Sequence, residues 1–260
     1  MLTARTVEKI SVVVVVAVLG SALAVTVRGA PVALLLVALA VTVSAGMDLV
    51  LRGEARYHPT PDLFILPTAL VIGGVLFISQ LASGVAIVIG LALLAAVLFV
   101  AFWAELVSLS GRGRRESAER RVPEAALVVL VYVAAFLLYA AIYQSKTRSL
   151  FSAPAIIAVT FLLALRQLRL AVEPTRLGQT LVLAGVVALA AGEVTWALNY
   201  WPLNGLLGGA FLLASFYFLM GVFIHQLRGD LTRRIVVEYG AVSAVSVVAI
   251  TLAGLVRRGL

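Results

Sequence analysis

The chain has no cysteine, which removes disulfides, thiolate nucleophiles and cysteine-ligated metals at one stroke. Its two histidines, His58 and His225, are too few for a multi-histidine metal centre, and the sequence assigns neither a metal nor a cofactor. Charge is scarce as well. Only 12% of the residues are charged, about half the share usual in a soluble domain. Alternating apolar and polar strands are missing, so a β-barrel is excluded.

What remains is apolar. Hydrophobic residues make up 63% of the 260, and the mean hydropathy is +1.12. The apolar runs are continuous over helix-length windows. In lipid only a helix satisfies its backbone polar groups within one segment, so the expected class is an all-α, polytopic transmembrane helix bundle. A span needs about 20 apolar residues to cross a core of about 30 Å. Nine segments meet this: 10–27, 32–50, 63–81, 84–108, 125–143, 153–171, 180–200, 204–226 and 235–256. Eight spans with one re-entrant segment is the alternative. The chain reads as one integral membrane domain, 1–260, with an arginine-rich cytoplasmic loop at 109–124.

The net charge of +8 would suggest nucleic acid in a soluble protein, but here the basic residues fall between apolar runs. Topology explains them, and no nucleic-acid partner is expected. With the N-terminus inside, the inner segments hold Arg5, Lys9, Arg52, Arg56, the arginines of 112–121, Arg166, Arg169, Arg176, Arg228, Arg233 and Arg234. The outer side keeps Arg28, Lys146, Arg148, Arg257 and Arg258, the last two running against the rule. The expectation is a multi-pass protein of a bacterial cytoplasmic membrane, N-terminus cytoplasmic, its inner loops meeting anionic headgroups. "MLTARTVEK" followed by an apolar stretch and "SALA" also reads as a cleavable leader, but an uncleaved first helix is expected. Pro59–Thr60 and Pro174–Thr175 each open an outward-running segment. They suggest a parallel repeat of four plus four helices, with halves 10–108 and 125–226 and a ninth helix added.

Glu193 interrupts the apolar run "LAAGEVTWALNYWPLNG". A charge inside a membrane segment is costly and is a candidate functional group by default. Trp196 and Tyr200 share its helical face at spacings of three and seven, and Asn199 lies nearby. Gly185, Ala188, Gly192 and Thr195 form a small-residue stripe beside it. Tyr132, Phe136, Tyr139 and Tyr143 recur at i, i+4, i+7 and i+11 on segment five. If segments five and seven meet, Glu193, Trp196, Asn199, Tyr200, Tyr139 and Tyr143 would line an outward-facing aromatic pocket. Such a site suits an amine, a sugar or a lipid headgroup. The plainer reading is interfacial anchoring by the aromatics and a structural role for the glutamate.

A second polar set gathers at the inner helix ends: Asp48, His58, Asp62, Glu105, Arg166, His225 and Glu238. Paired charges holding helices together account for most of it. Convergence of His58, Asp62 and His225 would instead mark a reaction centre, although no recognised ligand spacing supports one. Binding or moving an amphiphile is therefore the expected role. An intramembrane enzyme acting on a lipid-linked substrate at the cytoplasmic face, and a non-catalytic accessory subunit of a membrane complex, are the alternatives.

Overall fold

A computed structural model describes residues 4–27, 29, 31–52, 60–110, 121–145, 149–171, 177–201 and 203–256. Among them every regular element is a helix: α1 (Ala4–Thr26), α2 (Pro31–Leu51), α3 (Asp62–Ile78), α4 (Gly84–Ser110), α5 (Arg121–Gln144), α6 (Ser149–Ala171), α7 (Leu177–Leu198), α8 (Gly205–Arg228) and α9 (Arg233–Val256). Eight are long and apolar enough to span a membrane, which makes the chain a multi-pass, all-helical membrane protein. The exception is α3, with 17 residues, Pro67 inside it and most of its length buried. His58, Pro59, the arginine-rich 111–120 and Pro174–Thr175 lie outside the described residues.

The helices form two compact units that divide within α5, Met1–Ala134 and Ala135–Leu260. In the first, α1 packs on α2, α3 and α4, while α3 lies between α2 and α4. Small residues set these approaches. Gly46 of α2 sits against Val13 of α1, and Gly74 of α3 against Leu94 of α4. A hydroxyl pair, Ser44 Oγ and Thr68 Oγ1 at 3.2 Å, ties α2 to α3 inside this apolar packing.

In the second unit α6 packs along α7, α7 on α8, and α8 on both α6 and α9. The last part of α5 joins through Tyr139, whose hydroxyl shares a hydrogen bond with Thr160 Oγ1 of α6 at 2.8 Å. The same ring meets Phe216 of α8 edge-on, at 6.2 Å and 84°. Helix α9 touches α8 along one side only, where Ser243 Oγ donates to the Ala214 carbonyl at 3.2 Å and Tyr239 covers Gly221. Its long valine face, including Val237, Val245 and Val248, is exposed.

Candidate functional site

The turn from α7 to α8 carries the glutamate region, and its shape follows from three local devices. Helix α7 ends where Trp201 N–H reaches back to the Leu198 carbonyl at 2.9 Å. Asn204 then caps α8, its Oδ1 accepting from Leu207 N–H at 2.8 Å. Gln144, at the end of α5, satisfies a further free donor of the new helix by accepting from Gly205 N–H at 2.7 Å.

Tyr143 completes the arrangement. Its hydroxyl donates to the Leu198 carbonyl at 2.7 Å, with the Trp201 carbonyl at 3.2 Å as a second acceptor. The ring fits only because Gly208 has no side chain, and Gly209 one residue on brings α8 against the backbone of Ala140. Tyr139 and Tyr143 are thus packing residues: Tyr139 is wholly buried and Tyr143 straps the α7–α8 turn.

Glu193, Trp196, Asn199 and Tyr200 point the other way. All four are exposed, Trp196 by 61% and Tyr200 by 85%. The opposite side of α7 explains this rotation. Ala184, Ala188, Ala191 and Thr195 are buried there, and Gly192 lies against Ile157 of α6. Thr195 hides its hydroxyl by bonding back to the Ala191 carbonyl at 2.7 Å. With Ala188, Gly192 and Thr195 turned inward, Glu193 and Trp196 share one outward face of α7, and the exposed Tyr200 follows in the turn after Leu198. Glu193 lies five residues before the helix end, about 8 Å at 1.5 Å per residue. Tyr143 reaches the backbone on either side of Asn199 and Tyr200, while Tyr139 is buried against α6 and α8. Trp201 turns toward Phe211, ring centroids 6.3 Å apart.

Of the second polar set, Asp48, Asp62 and Glu105 belong to the first unit and Arg166, His225 and Glu238 to the second. Asp48 pairs with Arg52 one turn later on the surface of α2, the Arg52 Nε lying 2.6 Å from Asp48 Oδ2. Asp62 and Glu105 are buried in the first unit, Arg166 and Gln167 in the second. Ser108 donates to the Glu105 carbonyl at 2.9 Å. Glu238 is exposed on α9. Among the described residues no three His, Cys, Asp or Glu side chains are grouped to hold a metal ion.

His225 does have a defined setting. Gly229 takes a left-handed conformation, φ 77°, and ends α8. The reversal returns Asp230 to the imidazole, Oδ1 to Nδ1 at 2.9 Å. The ring lies 5.9 Å from that of Tyr239, which in turn packs on Tyr217 at 5.1 Å. Tyr217, Tyr239 and Gly221 were not foreseen as partners. A histidine three residues before an Arg-Gly-Asp turn was the available signal.

No curated protein and no solved structure matches this chain. Residues 10–253, which take in all nine helices of the described residues in whole or in large part, match a family described as a protein of unknown function, DUF5656, and the chain belongs to that family.

Proposed function

We propose that this membrane protein binds the polar head of a small amphiphile on the outward face of α7, with Glu193 as the anchoring carboxylate. One observation carries the reading: an acid on a membrane-spanning helix is exposed, with Trp196 exposed one turn on and Tyr200 exposed in the turn that follows the helix. A carboxylate facing hydrocarbon costs about 2.5–3.5 kcal/mol at mid-membrane and less toward the surface. At about 8 Å from the helix end the residual cost is met by proximity to headgroups or by a partner. An amine or a hydroxyl-rich head supplies that partner, and Trp196 and Tyr200 offer aromatic faces to a cation. The face is open along its length, so an amphiphile reaches it laterally and needs no aqueous path through the bundle.

We place this face at the outer surface of a bacterial cytoplasmic membrane, on the arginine distribution alone. The alternative occupant is a helix of a partner subunit, which would make the chain an accessory component. A thermal-shift and native mass-spectrometry screen with alkylamines, aminophospholipids and glycolipids separates the two. A ligand that stabilises the wild type and not Glu193→Gln supports amphiphile binding. Equal stability of both proteins with every compound refutes it. A stoichiometric protein partner lost on Glu193→Gln selects the accessory reading.

A further inference from the structure

The opposite end of α8 holds a different concentration of charge. The segment "HQLRGDLTRR" carries Arg228, Arg233 and Arg234 against a single acid, Asp230. We propose that the α8–α9 turn is a docking site for the phosphate of an anionic lipid headgroup, formed by these three arginines and the imidazole of His225. The site is independent of the α7 face, since about 30 Å of helix separates His225 from Gly205.

Charge is the first argument. Arg228, Arg233 and Arg234 are all exposed, and none forms an ion pair with a described residue. Asp230 is already engaged by His225 Nδ1. Glu238 is the next acid, one turn further into α9 and also exposed. Helix α9 opens with two arginines and no acid in its first turn, although the helix dipole favours acids there. The side chains therefore make the local field positive, while the backbone ends of α8 and α9 oppose each other across the turn.

The second argument is depth. The apolar spans end at Arg228 and begin at Arg233, so the guanidinium groups sit where a bilayer presents its headgroups. That position commits the site to a lipid rather than to a free anion. Arginine forks match phosphate oxygens in pairs, which makes a phosphate the fitting group.

The third argument is that His225 is held, not loose. Its ring is only 21% exposed, fixed by Asp230 at one nitrogen and flanked by Tyr239, which is seated over Gly221. With Nδ1 held by Asp230, Nε2 is the ring nitrogen left to face a headgroup.

The test uses the full chain in vesicles of phosphatidylcholine with or without phosphatidylglycerol. Because the chain has two histidines, His58→Gln leaves one imidazole to follow by nitrogen-15 NMR. Phosphatidylglycerol should shift the His225 signal, and native mass spectrometry should show preferential retention of that lipid. Retention should fall by roughly fivefold per arginine changed to glutamine. The three Arg→Lys changes keep the charge, and should hold part of the preference even if the glutamine variant fails to fold. A His225 signal identical in both vesicles overturns the proposal, as does undiminished retention by a folded glutamine variant. An equal shift on adding inorganic phosphate to phosphatidylcholine vesicles would overturn the assignment to a lipid.

Discussion

Replacing Gly209 with alanine should force α8 away from α5, and the size of the effect can be worked out. A Cβ at this position would lie 2.7 Å from both the Cα and the N of Ala140, well inside ordinary contact. The obstruction is backbone, so no side chain can swing aside. Overpacking of this kind typically costs 1–3 kcal/mol, about 2 here. Against it stands the gain in helix propensity from glycine to alanine, about 1 kcal/mol. The net loss is then roughly 1 kcal/mol, or about 2–4 °C for a chain of this size.

Gly185 on α7 is the matched control, because a Cβ there meets nothing within 4 Å. Gly185→Ala should keep the propensity gain and melt at or above the wild type. Both variants are compared by tryptophan fluorescence melts in one detergent at one scan rate. If Gly209→Ala melts as high as Gly185→Ala, the close approach of α5 and α8 is wrong. The strap built on it, from Tyr143 to the α7–α8 turn, would then fall too.

Two further outcomes follow from single contacts. Tyr139→Phe removes the hydroxyl shared with Thr160, and should cost about 0.5–1.5 kcal/mol in a denaturant or SDS titration. Thr160→Val should be equally harmful, and the double variant no worse than either. Gly229→Ala places a side chain at φ 77° and should destabilise by about 1–2 kcal/mol, with Gly229→Asn milder. The His225 imidazole signal should shift in the same variant, since the turn is what returns Asp230 to it.

The helices were legible because length and hydropathy suffice to mark a span. Segment 84–108 became Gly84–Ser110, and 204–226 became Gly205–Arg228. The largest difference is α1, which starts at Ala4 and not at residue 10. Arg5 and Lys9 carry long aliphatic stems, and the helix runs through them into the headgroup region. Rotation about each axis was far less legible. In lipid the outward side of a helix is as apolar as the inward side, so amphipathicity no longer reports which face packs.

For the aromatic stripe of segment five and the acid of segment seven, spacing suggested a face but not the direction in which it points. Small residues held the missing information. Gly205, Gly208 and Gly209 mark the side of α8 that receives Tyr143 and Gln144. The Ala184, Ala188 and Ala191 series marks the side of α7 turned inward, and Glu193 follows by exclusion onto the other side. The His225–Asp230 pair was harder still. It needs the left-handed Gly229, which shortens the path between two helix ends and has no counterpart in hydropathy.

Helix α3 has a consequence for the membrane around it. Its 17 residues reach about 26 Å, short of a typical hydrocarbon thickness of about 30 Å. A lipid-facing helix of that length would thin the bilayer or draw polar groups inward. Enclosed by α1, α2 and α4, α3 meets few lipid tails, so its length is matched to its neighbours and not to the bilayer. Hydrophobic matching is left to longer helices such as α2 and α4, with 21 and 27 residues. Membranes of different thickness should therefore tilt or strain those helices first, while the short central one keeps its packing.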